Sequence, residues 1–100
     1  MSENETDTAS RLVLDERSKA RAYLLERQQA YRQVFNPDSK PVKLVLLDLK
    51  RFCRESTSCF DPDPRIHAVF EGRREVILRI REHISLSPDE LLTLYGGNNE

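Results

Sequence analysis

The sequence predicts an all-α protein: a small helical bundle of three main helices with a short fourth at the C-terminus. Three observations carry that expectation. The 100 residues include only three glycines, and Ala, Leu, Glu, Arg and Gln are plentiful while β-branched residues are sparse, a composition that favours helix over strand. Apolar residues recur at three- and four-residue intervals along three long stretches, the period of helices packed on one side. Between these stretches stand Asn-Pro, Asp-Pro and Ser-Pro steps, which end one helix and open the next.

Residues 1–9 are polar, acidic and aperiodic, and read as a disordered tail. Helix one follows, from about Ser10 to Phe35. Its apolar stripe holds Val13, Ala20, Tyr23, Leu24, Ala30, Tyr31, Val34 and Phe35, with Arg27 among them, and its opposite face is Arg, Gln and Glu. The stripe is thin over the first half, so this helix can extend from the bundle as an arm. In NPDSKP the Asn36–Pro37 step closes helix one, because a residue before proline avoids helical geometry. Asp38 or Ser39 can cap helix two, and Pro41 is tolerated in its first turn.

Helix two, about 41–54, puts Val42, Val45, Leu46, Leu49, Phe52 and Cys53 on one face, while Leu44 and Leu47 point elsewhere. A helix apolar on more than one side should be the most buried element. Helix three starts at Asp63–Pro64, a capping carboxylate before a proline in the first helical position, and runs to about Ile84. Ser87 and Glu90 form a capping box for helix four. Gly96–Gly97 stop that helix after Tyr95. Residues 10–97 are thus expected to form one helical domain, with a frayed end at 98–100.

Charge and composition narrow the function classes. One domain of this size can bury only about 60–70% of the surface its unfolded chain exposes, room for one modest core but not for a deep enzyme cleft plus a second lobe. The longest uncharged apolar run is four residues, Leu44 to Leu47, so no membrane span is expected. No basic segment followed by an apolar run opens the chain, and the two cysteines are expected as free thiols in a reducing compartment. The net charge of −1 conceals a basic first half between acidic ends, an asymmetry that suggests an anionic partner or neutralisation within the chain.

The densest chemistry lies in CFDPDPRIHAVFEGRRE, residues 59–75. Metal binding is not expected. Cys53, Cys59, His67 and His83 are separated by five, seven and fifteen residues, unlike the close ligand pairs of structural zinc sites. Cys59 with His67 lacks an orienting third group for nucleophilic catalysis, and Asp61 and Asp63 with Glu71 make a poor metal site beside their ready reading as helix caps. No cofactor is expected. Arg73 is the residue that breaks its pattern. It falls near the centre of a stripe formed by Ile66, Val69, Phe70, Val76, Ile77, Ile80 and Ile84, where an unpaired guanidinium is costly. Asp61 or Asp63 is the expected partner in a buried ion pair, with Asp48 as a rival. A partner protein that meets Arg73 where the stripe leaves the core is the other possibility. Gly72, beside it, leaves space for another backbone. Lys43, Lys50 and Arg54 form a basic strip on helix two, of the kind that tracks phosphates.

Four blocks, AYRQVFNPDS, VLLDLKRFCR, FDPDPRIHAVFEGRREVILRI and LSPDELLTLYGG, resemble a family of small proteins of short-tailed bacteriophages of the Bordetella podovirus type, encoded among head and portal genes. They span residues 30–97. The resemblance implies a virion or virion-assembly role, in the virion or the host cytoplasm, with portal, capsid or connector proteins as partners and self-association open. It carries no catalytic residues. By that similarity Asp61, Asp63, Arg65, His67, Glu71, Gly72, Arg73 and Arg74 become interaction candidates. The expected function is therefore a structural or assembly protein, not an enzyme, acting through protein–protein contacts. A small DNA-binding accessory for packaging or regulation is the alternative. An enzyme or an inhibitor of host functions comes third.

Overall fold

In a computed structural model the chain is described for residues 2–96, with side chains for 11–13 and 15–96. Four helices follow one another: α1 (Ser2–Val34), α2 (Lys40–Phe52), α3 (Pro64–Ser85) and α4 (Pro88–Tyr95). No strand occurs among the described residues. Residues 2–9, expected as a disordered acidic tail, form the opening of α1, their side chains lying outside those described. The expected frayed end, 98–100, lies outside the described residues.

Local chemistry accounts for the helix starts. Asp63 caps α3 by accepting the Arg65 backbone N–H at 2.9 Å. Ser87 Oγ accepts the Glu90 N–H at 3.1 Å, and the Glu90 carboxylate accepts the Ser87 N–H at 3.1 Å, so the capping box is complete in both directions. Ser39 occupies the cap position of α2 without a side-chain hydrogen bond, and Pro41 stands in the first turn. At the far end of α4, a Cβ on residue 96 would collide with the Leu92 carbonyl, which only glycine avoids.

Helix α3 is the hub: α1 and α2 both pack on it, and α4 folds back onto α1. Cys53, Ile77 and Ile80 form the apolar centre, with Tyr31, Phe35, Leu46, Leu49 and Ile84 around it. Leu24 and Leu91 are buried where α1 meets α4. Little else is covered. The molecule measures 62 × 37 × 15 Å with a radius of gyration of 19.0 Å, against about 13 Å for a compact domain of this length. It exposes 7824 Å², where a compact monomer of this mass would expose about 5,900 Å². The bundle is open. From residue 11 to Tyr23 every described side chain of α1 is exposed, so the helix does project as an arm.

The expectation for α2 is also corrected. None of its residues is buried. One side, through Leu46, Leu49 and the following Cys53, packs on α3 in the core that Tyr31 and Phe35 join from the end of α1, and among the described residues no helix layer covers the other sides.

Candidate interaction surface

The loop between α2 and α3 folds tightly onto α3. Helix α2 ends at Phe52 with Cys53 as its C-cap, and Arg54 then takes a left-handed φ of 56°, the geometry that turns a chain away from a helix end. Its guanidinium lies 3.8 Å from the centre of the Phe70 ring and donates to the Ser58 carbonyl at 2.9 Å. Glu55, only 12% exposed in its side chain, meets Arg81 at 3.4 Å. Cys59 is buried, with Sγ 3.7 Å from the Phe70 carbonyl oxygen. His67 Nδ1–H donates to the Cys59 carbonyl at 2.9 Å, and its ring stands edge-on to Phe60. Histidine and cysteine are thus neighbours, but through a backbone carbonyl and not through the thiol. Both cysteines are free, and among the described residues no three His, Cys, Asp or Glu side chains are placed to hold a metal ion.

The structure corrects the expected buried ion pair. Asp61 Oδ1 accepts the Asp63 N–H at 2.9 Å, and Asp63 caps α3, so both carboxylates are engaged with backbone at the helix start. Arg73 is half-buried with its guanidinium 4.4 Å from the Phe52 ring centre and 6.0 Å from that of Phe70. An aromatic face partly replaces a carboxylate for a weakly hydrated guanidinium, which is how an arginine sits in an apolar stripe here. Gly72 is exposed, and a Cβ there would meet nothing within 4 Å; no backbone of this chain approaches it. Arg65 and Glu71 are exposed and Arg74 is half-buried. The eight candidates therefore divide between a capped helix start and a sparsely covered length of α3. The strip of Lys43, Lys50 and Arg54 is also broken. Both lysines are exposed, while Arg54 is turned onto Phe70.

A second polar constellation joins α1, α3 and α4. His83 and Gln28 are both 0% exposed. His83 Nδ1–H donates to the Arg79 carbonyl at 2.7 Å, leaving Nε2 to accept the Arg27 Nε–H at 3.0 Å. That pairing requires the neutral ring. Burial, reinforced by the nearby Arg27 and Arg79 guanidinium groups, lowers the His83 pKa below its ordinary 6.5. Tyr31 stacks on the imidazole with centroids 4.2 Å apart, and Tyr95 approaches at 5.3 Å. Tyr95 donates its hydroxyl to Glu82 at 3.0 Å. Gln28 Nε2 donates to the carbonyls of His83 and Leu86 at 3.3 and 2.8 Å, and Arg32 also reaches Leu86 O at 2.8 Å. Side chains of α1 thereby satisfy the orphan carbonyls at the end of α3. Sequence reasoning assigns Gln28 to a wet face and misses this role. The signal was its spacing: Leu24, Gln28, Tyr31 and Phe35 follow one another at four, three and four residues, a polar residue in apolar register.

Outside these networks several large apolar side chains are exposed. On α2, Leu44, Leu47 and Phe52 are 62, 46 and 57% exposed. On α3, Ile66, Val69 and Val76 are exposed as well. Val76 and Ile80 join Ala30, Tyr31, Val34, Phe35 and Arg79 around an open groove of about 380 Å³ between α1 and α3. Among the described residues no helix is long and apolar enough to cross a membrane. The fold and this surface define a small all-α protein with more apolar area than its own helices cover.

The chain belongs to the family of Bbp19-like phage proteins, whose family model matches residues 31–95, in keeping with the phage resemblance of the sequence blocks. No curated protein and no solved structure matches the chain. The family match begins in the last turn of α1 and ends with α4. It takes in the α2–α3 core and the loop, and leaves the arm outside.

Proposed function

We propose that this phage protein is a structural or assembly component of the virion that works by binding other virion proteins, at the portal, head or connector, through apolar surface its own fold leaves bare. The observation that carries the reading is α2. Seven of its thirteen residues are Val, Leu or Phe, yet none is buried. Full burial of one such side chain is worth about 1.5–3 kcal/mol, so a partner that covers several of them gains substantially, and large exposed apolar patches mark interaction sites. Its place of action is the virion or the host cytoplasm during assembly. Mass spectrometry of purified virions and of assembly intermediates tests the proposal. The protein should co-purify with one of them, and Leu44→Asp should release it while leaving its helix content unchanged. Absence from both kinds of particle would end this reading. A second reading, DNA binding during packaging, draws on the exposed Lys43 and Lys50, although Arg54 is diverted to Phe70. It requires salt-dependent retention of duplex DNA that is lost when both lysines are reversed.

A further inference from the structure

The outward side of α2 has a particular composition. Lys40, Leu44, Leu47 and Arg51 follow at intervals of four, three and four residues, and Lys43 and Lys50 run beside them seven apart. At helical periodicity these six side chains share one side of the helix, and all six are exposed. None of the four cations belongs to an ion pair within the described chain, and the one acid of α2 is Asp48. The result is a pair of leucines framed by four unpaired positive charges.

Rested on the proposed assembly role, we infer that this side of α2 docks a helix of another protein whose apolar stripe is rimmed by Asp and Glu. The leucines, spaced by three, offer a ridge that fits between side chains of a second helix. Carboxylates on its flanks would meet the four cations, giving complementary potentials that speed and orient association. A second copy of this chain does not fit. Pairing α2 with α2, parallel or antiparallel, sets lysine and arginine against lysine and arginine, and like charges brought together disfavour the complex. A phosphate backbone would use the cations but leave the two leucines uncovered, and two leucines are a small insertion for an anionic membrane surface. Only an acid-rimmed apolar helix uses both parts. The face is short, about 16 Å from Lys40 to Arg51 at 1.5 Å per residue, so the contact should be weak alone and sensitive to salt.

The test places a photo-crosslinking amino acid at Leu47 in the full-length protein expressed during phage infection, with the adducts identified by peptide mass spectrometry. The expected adduct lies in a helical segment of another phage protein with alternating apolar and acidic positions. Lys43→Glu with Lys50→Glu should lower its yield about tenfold, the effect of about 1.4 kcal/mol, while circular dichroism of the variant stays unchanged. High salt should lower the yield of the unmodified protein too. An adduct to a phage protein segment without acidic residues, or one insensitive to the double reversal, overturns the inference and leaves the assembly role standing. An adduct to α2 of a second copy does the same. Crosslinking to DNA or lipid alone, with the protein missing from particles and intermediates, would sink both.

Discussion

Replacing Gln28 with leucine should destabilise this protein although the side chain keeps its approximate size. The amide spans two carbonyls at the end of α3, those of His83 and Leu86. Leu86 O keeps a donor in the variant, because Arg32 Nη2 also reaches it at 2.8 Å. His83 O does not, since the N–H of Ser87, its natural partner four residues on, is committed to Glu90. One buried carbonyl is therefore left without a partner, at a cost of about 1–3 kcal/mol. Two details place the value in the lower half of that range. The lost bond is long at 3.3 Å, and Gln28 Oε1 has no protein donor to lose. Roughly 1–2 kcal/mol corresponds to a fall in Tm of about 4–16 °C for a domain of this size, a large share of the 5–15 kcal/mol that small domains hold. Gln28→Ala should cost more, because it adds a cavity. Gln29→Leu, one position away and exposed, should stay within about 0.5 kcal/mol of the parent. Urea and thermal unfolding followed by circular dichroism read all three. If Gln28→Leu unfolds at the same midpoint as the parent protein, the α1 side chains are not what closes the end of α3.

Stability should also follow the protonation of His83, which lies between Arg27, Arg79, Glu82, Tyr31 and Tyr95. Its folded pKa is lowered below 6.5, so at moderately acid pH the unfolded chain binds a proton that the folded chain refuses. Stability is whole above pH 6.5 and declines as pH falls through the folded value; His83→Phe should flatten that slope in urea titrations across pH 5–8, and an unchanged slope would refute the assignment. Gly72→Ala should raise Tm, because the added methyl meets nothing and alanine favours a helix interior by about 0.5–1 kcal/mol. A drop in Tm would show that the position is more crowded than it is here. At Arg54, alanine retains the left-handed backbone and loses the contacts to Phe70 and Ser58, whereas glycine loses the same contacts but relieves a strain of about 1 kcal/mol. Arg54→Gly should therefore be the more stable of the two variants in denaturant melts, and the opposite order would contradict the observed turn.

Much of the architecture was legible from the chain because its rules are local. Asp63–Pro64, the Ser87–Glu90 box and the Asn36–Pro37 break act over three or four residues, and the end of α1 and the starts of α2, α3 and α4 fall within two residues of where these signals put them, whereas α1 begins at Ser2 and not near Ser10. The phage family, too, was readable from blocks that the family match covers. The candidate site was legible only in part. Arg73 stood out as a charge in an apolar stripe, yet its partner proved to be the Phe52 ring, because capping takes up Asp61 and Asp63 before they can turn toward it. Gln28 and His83 were missed as a pair, since 55 residues separate two groups that meet only when α1 lies along α3. For α2 the pattern of seven apolar residues determines that the helix wants cover on several sides. It does not say where that cover comes from. The tertiary arrangement decided this, because among the described residues α3 packs on only one side of α2, and burial depends on what packs opposite a side chain, not on the side chain alone.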